Sequence, residues 1–177
     1  MNLALVGFRG VGKSHVARLL GERLGWPAVD ADVELQTRAQ QTIAEIFAAD
    51  GEQAFRDLET AVVADLTQRD QQVIALGGGA VLRAENRAAI RSNCFTVWLT
   101  ADAETILARI SADTATAAQR PGLTDKQPLD EIQHLLEVRE PLYREAADAI
   151  VDTQTRTPEE AADEIYQLFA PKIESAS

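Results

Sequence analysis

Apolar residues along the chain fall into short unbroken runs separated by longer stretches in which they recur at helical spacing. That is the pattern of a parallel sheet covered by helices on both faces. Leu3–Val6 is the first run and predicts a strand. After a glycine-rich turn, Val16, Leu19, Leu20 and Leu24 share one side of a helix predicted over Lys13–Leu24, which Gly25 ends. Trp26–Val29 predicts a second strand ending at Asp30, followed by helices over Val33–Ala39, Ile43–Ala48 and Gln53–Gln68. Gln72–Leu76 predicts a third strand that runs into Gly77-Gly78-Gly79, and a helix near Glu85–Arg91 leads to a fourth, Phe95–Leu99. Helices over Ala103–Ile110 and Leu129–Ala147 flank Ser111–Gln127, a long segment without apolar period. Ala149–Val151 is the fifth strand. Pro158–Phe169 is the last helix, with Thr157 as its cap and proline in its first turn, and Lys172–Ser177 reads as a frayed tail. The fold class expected is α/β: a three-layer sandwich with a central five-stranded parallel sheet, forming one domain over residues 1–177.

With 177 residues, 46% of them apolar, the chain can bury roughly 70% of the surface it exposes when unfolded. A net charge of −11 excludes nucleic acid and anionic membrane as the main partner, since both are bound by neutralising their charge. An anionic substrate must therefore meet a local basic cluster. The single cysteine, Cys94, lies in an apolar run and reads as a small buried hydrophobe; no disulfide can form within the chain. The N-terminus lacks a basic leader, and no run approaches the ~18 apolar residues of a membrane helix, so a cytoplasmic protein is expected. No heptad run stands out, and a monomer is expected.

Gly7-Phe8-Arg9-Gly10-Val11-Gly12-Lys13-Ser14 matches the Walker A pattern in full, between an apolar strand and an amphipathic helix, where the pattern has mechanical meaning. The glycines let successive N–H groups, including those around Gly10, Val11 and Gly12, face a polyphosphate, and the helix N-terminus adds its partial positive charge. Lys13 brings a full charge to the terminal phosphates, and the Ser14 hydroxyl suits Mg²⁺. His15 follows directly and is counted with the nucleotide-binding positions by its place alone. Asp30-Ala31-Asp32 ends the second strand, at the edge of an open sheet where ligands bind. One acid could meet the metal and the other an acceptor hydroxyl; as a bland alternative, the pair could simply cap a helix.

Downstream stand Gly51-Glu52-Gln53-Ala54-Phe55-Arg56-Asp57-Leu58-Glu59, the triple glycine, Arg120-Pro121, Arg139-Glu140-Pro141-Leu142-Tyr143 and Arg156-Thr157-Pro158. In this order the set resembles the shikimate kinase family over nearly the whole chain. The resemblance implies a P-loop fold like that of nucleoside monophosphate kinases, with a mobile lid at about 111–127. It implies ATP and Mg²⁺ as cofactors and transfer of the γ-phosphoryl to shikimate, a step of aromatic amino acid biosynthesis. Arg56 and Arg139 would then hold the shikimate carboxylate, a task suited to the planar guanidinium fork, with Glu59 orienting Arg56. Gly78 and Gly79 match positions beside the acceptor, Asp32 the residue next to the attacking hydroxyl, Asp30 the one nearer the metal, Arg120 the lid arginine over the phosphates, and Arg156 the segment against adenine. The chain departs from the family at His15, where most relatives have threonine, and at Gly122, where a bulkier residue follows the lid proline. Two rivals are another P-loop kinase, for instance of gluconate, and a non-catalytic nucleotide-binding module. The combination of Arg56, the triple glycine and Arg139 favours shikimate over the first. The presence of Asp32, Arg120 and both acceptor arginines disfavours the second.

Overall fold

A computed structural model of the chain describes residues 1–112 and 128–174. Five strands form one parallel sheet: β1 (Asn2–Val6), β2 (Ala28–Asp30), β3 (Val73–Ala75), β4 (Cys94–Thr100) and β5 (Ala149–Asp152), in the order β2-β3-β1-β4-β5. The register pairs Leu5 with Ala75 on one side and with Val97 on the other. The connections place α1 (Lys13–Leu24), α2 (Ala31–Ala39), α3 (Ile43–Gln68), α4 (Ala84–Asn93), α5 (Ala103–Ala112), α6 (Pro128–Ala146) and α7 (Pro158–Glu174) around the sheet.

Alternation along the strands explains why both faces are covered. Leu3, Leu5, Val73, Ala75, Val97 and Leu99 point into one apolar cluster, which α1 and α7 close with Val16, Leu20, Ile165 and Phe169. Ala4, Val6, Ile74, Leu76 and Trp98 point into a second, closed by Leu35, Ile46, Phe55, Val63, Leu66, Ile90 and Tyr143. The central strands are buried throughout, as expected of a parallel sheet.

Most predicted elements are present, and the differences have local causes. The helix over Lys13–Leu24 matches residue for residue, because glycines in the left-handed conformation stand at both ends, Gly12 and Gly25. α2 begins two residues earlier than expected, since the Asp30 side chain accepts from the N–H groups of Asp32 and Val33 and caps it. The two helices expected over 43–68 are both present within α3 and meet at Gly51, whose φ of 81° and ψ of 179° are not helical and are adopted readily only by glycine. A capping box, Thr42 with Glu45, starts it. A short 3₁₀ turn, Ala80–Leu82, follows the triple glycine and was not predicted. α7 continues to Glu174 instead of fraying at Lys172, because Ile173 packs against the core. Of the expected lid, Ser111 and Ala112 complete α5; Arg120, Pro121 and Gly122 lie outside the described residues.

Candidate active site

The chain leaves β1 towards β2 and β3, then crosses to β4 and β5 on the other side. The sheet's switch point is therefore at the carboxyl end of β1, where the glycine loop begins. Gly7, Gly10 and Gly12 all have positive φ, and the loop wraps back so that Lys13 Nζ donates to the carbonyls of Gly7 (2.8 Å) and Phe8 (2.9 Å). The ammonium is thus pre-placed over the loop that a polyphosphate would enter.

Of the cavities that the described residues line along this edge, three hold the residues singled out from sequence. The first, about 390 Å³, is lined by Gly10, Gly12, Lys13, Ser14, His15, Asp30 and Asp32, with Arg9, Gly78 and Arg109 at its rim. The second, about 230 Å³, adjoins it through Gly12, His15 and Arg109 and reaches Thr153, Arg156 and Pro158. The third, about 380 Å³, is lined by Arg56, Gly78, Gly79 and Arg139 among the apolar side chains Phe47, Phe55, Leu82, Leu135 and Val138. Gly78 and Arg9 belong to both the first and the third, so these two cavities share a wall at the triple glycine.

Each glycine of the triplet lets a polar group approach, although none has positive φ. A Cβ on Gly77 would lie 2.6 Å from Asp32 Oδ1 and 3.2 Å from Glu59 Oε1. On Gly78 it would lie 3.3 Å from the Arg9 backbone nitrogen, and on Gly79 2.5 to 2.9 Å from the Arg56 guanidinium. The triplet is therefore a bare strip of backbone on which the Asp32 carboxylate, the glycine loop and Arg56 converge.

Arg56 donates to Glu59 Oε2 at 2.6 Å, and Glu59 is only 4% exposed. Burying that carboxylate requires a partner, so the pair holds the guanidinium at the cavity wall. Glu52 lies at 3.4 Å on the outer side. Arg139 reaches the same cavity from α6, donating to the Gly78 carbonyl at 3.3 Å and lying 5.4 Å from the centre of the Phe8 ring. Ser14 Oγ donates to Asp30 Oδ2 at 2.5 Å while Asp30 Oδ1 caps α2, so the capping reading of Asp30 applies and its other oxygen stands beside the Ser14 hydroxyl. Arg156 donates to the Asp152 carbonyl at 2.6 Å and pairs with Glu164 at 2.8 Å.

The described site residues expected from sequence thus gather along one edge of the sheet; Arg120 is outside the described residues. Asp32 lines the first cavity, with its carboxylate over Gly77. Arg109 escaped sequence reading. It lies on α5, donates to the Thr153 carbonyl at 2.6 Å and to Thr153 Oγ1 at 3.1 Å, and lines both the first and the second cavity. Its helix carries no motif spacing. Arg9, a variable position of the Walker A pattern, was likewise not assigned. Cys94 is buried as expected, and burial pushes its thiol up to about 12.

A glycine loop at the switch point of a five-stranded parallel sheet defines a P-loop nucleotide-binding fold, here joined by a shared wall to a cavity bearing two guanidinium groups. A sequence model of the shikimate kinase family matches residues 9–170. A shikimate kinase of Rhodopirellula baltica is 43% identical over 99% of this chain and 94% of its own length. One of Symbiobacterium thermophilum is 45% identical over 98% of this chain and 99% of its own. Among solved structures, a shikimate kinase of Acinetobacter baumannii in complex with shikimate superposes with a TM-score of 0.89 at 37% identity, covering 97% of this chain and 93% of that one. The chain belongs to the shikimate kinase family.

Proposed function

We propose that the chain transfers the γ-phosphoryl group of ATP to a ring hydroxyl of shikimate, giving shikimate 3-phosphate and ADP in aromatic amino acid biosynthesis. The observation that carries this reading is the shared wall at Gly78, with Lys13 and the glycine loop on one side and Arg56 and Arg139 on the other. Paired guanidinium forks suit a carboxylate, and the apolar lining suits a carbon ring. An acceptor anchored by its carboxylate at Arg56 and Arg139 presents its hydroxyls towards Gly78 and Asp32.

In the transfer, the acceptor oxygen bonds to the γ-phosphorus as the bond to the β–γ bridging oxygen breaks. The hydroxyl proton passes to the Asp32 carboxylate, and the leaving charge stays on ADP. Phosphoryl transfer asks mainly for positioning and charge neutralisation, which Lys13 and the loop N–H groups supply. Ser14 and Asp30 offer two adjacent hard oxygens, which fits Mg²⁺, an ion held by one or two carboxylates together with phosphate oxygens; when bound, it neutralises those phosphates. Among the described residues no group of three or more His, Cys, Asp or Glu side chains could hold a metal, so such an ion would rely on the nucleotide for further ligands. Arg156 and Arg109 would face the nucleoside, and Arg120 would bring further charge to the transferred group from a lid at 111–127. Support for Arg120 is the Arg120-Pro121 match in sequence. The single-domain organisation over 1–177 and a monomeric state belong to the same reading. No helix among the described residues is long and apolar enough to cross a membrane, and a cytoplasmic location is proposed with the function.

Release of ADP from MgATP, measured with shikimate, with gluconate and with no acceptor, tests the assignment. ADP should form in the presence of shikimate alone. Equal rates with gluconate would move the chain to another acceptor class, and binding of ATP without turnover would make it a nucleotide-binding module.

A further inference from the structure

We propose that two buried hydroxyls are positioning residues, each aiming one backbone N–H at a ligand: Thr153 aims that of Gly12 at the nucleotide phosphates, and Tyr143 aims that of Gly79 at the acceptor. The proposal rests on the reading of the cavities as nucleotide and acceptor sites. In a trans peptide the carbonyl and the following N–H point in opposite directions, so a donor that fixes the carbonyl also fixes the N–H. Both peptides need such fixing. Gly12 has φ +93°, so side-chain sterics limit the first peptide only from Val11, and the second joins two glycines and has none.

Thr153, 4% exposed, stands just beyond β5. Its Oγ1 accepts from Arg109 at 3.1 Å and has one proton to give; of the two carbonyls in reach, that of Thr100 at 3.0 Å already accepts the Thr153 backbone N–H at 2.8 Å, which leaves the proton for that of Val11 at 3.2 Å. Drawing the Val11 carbonyl towards β5 turns the Gly12 N–H the other way, and Gly12 lines the phosphate cavity beside Lys13 and Ser14. Tyr143 is fully buried, and its hydroxyl donates to the Gly78 carbonyl at 2.5 Å. The Gly79 N–H then points away from Tyr143, and Gly79 lines the acceptor cavity with its Cα against the Arg56 guanidinium. Arg139 also reaches the Gly78 carbonyl, at 3.3 Å, a longer bond than the 2.5 Å one from Tyr143.

The test is a double dissociation. Thr153→Val and Tyr143→Phe keep the shape of the side chain, and the phenyl ring retains the packing of Tyr143 on Trp98, 5.8 Å between centres. MgADP and shikimate are titrated separately into wild type, both variants and Thr153→Ser. Thr153→Val should weaken ADP about tenfold, the worth of one hydrogen bond to a charged group, and leave shikimate within about twofold. Tyr143→Phe should do the reverse, and Thr153→Ser should restore ADP binding. Amide resonances give a direct readout. The Gly12 signal should move with ADP, the Gly79 signal with shikimate, and each less in its own variant. Losses falling equally on both ligands, no loss in either variant, or a Thr153→Ser variant as weak as Thr153→Val overturns the proposal. Tyr143→Phe decides alone if Thr153→Val does not fold. A wild type that binds neither ligand overturns the reading of the cavities, and the proposal with it.

Discussion

Replacing Gly79 with alanine should damage acceptor use while sparing the fold. Gly79 has φ −100° and ψ −2°, a conformation open to any residue, so the substitution adds no backbone strain. The new methyl would lie 2.5 Å from Arg56 Nη1, 2.7 Å from Nη2 and 2.9 Å from Cζ. All three atoms belong to the far end of a flexible side chain, so the guanidinium retreats by about 1 Å to reach ordinary contact distance while the backbone stays put. Its ion pair with buried Glu59 resists a larger swing. A displacement of about 1 Å at a substrate clamp costs on the order of 10² in rate. Steady-state kinetics of purified Gly79→Ala should therefore show kcat/KM for shikimate down by roughly 10²-fold, with KM for ATP within about twofold. The melting temperature should stay within a few degrees of wild type, equivalent to about 1 kcal/mol or less. Unchanged kcat/KM for shikimate would refute the convergence of Arg56 on Gly79, and equal losses for ATP and shikimate would refute the division of the site at the triple glycine.

Four further outcomes are expected. Lys13→Ala should lower turnover by about 10² to 10⁴ without unfolding the chain, because its charge acts on the phosphates and Lys13 is not part of the core; single-turnover phosphoryl transfer checks this. Asp32→Asn should lower kcat by about 10² to 10⁴ and leave both affinities near wild type, as read by kcat against separately titrated dissociation constants, since an amide keeps the shape but takes no proton. Gly21→Ala should destabilise the fold by about 1 to 3 kcal/mol in urea melts, because its Cβ would lie 2.8 Å from the Trp26 carbonyl, which is backbone and cannot swing aside. Cys94, with its thiol raised to about 12 by burial, should react with a thiol reagent at pH 8 far more slowly in the native protein than in denaturant.

What could be read in advance followed from local rules. The ends of α1 are legible because glycines stop it on both sides, and the strand faces because Leu3 and Leu5 alternate with Ala4 and Val6. Lys13, Ser14 and the triple glycine belong to contiguous motifs whose chemistry depends on neighbours in sequence. The 3₁₀ turn at Ala80–Leu82 was not legible, since its carbonyls are held by Asn86 and Arg87, which reach back from α4. Arg109 and Thr153 meet only because β4 and β5 pair side by side and bring α5 against the turn after β5. The Arg56–Glu59 pair could be suspected from its spacing on a helix, but its burial beside Gly77 depends on the packing of α3 against the third strand's end. The break at Gly51 was legible too, since a glycine between two amphipathic stretches supplies the positive φ that separates them.

The central claim is that one anionic ring acceptor is anchored across the Gly78 wall from ATP and takes its γ-phosphoryl. Phosphorus NMR of a complete reaction tests it most directly, following MgATP and shikimate with the wild-type chain to equilibrium. The account predicts that the γ-phosphate signal of ATP gives way to ADP and a single new phosphate ester of shikimate in equal amounts, with Arg56→Lys slowing ester formation and not ATP binding. Inorganic phosphate in place of the ester, or ester formation indifferent to Arg56, would contradict it.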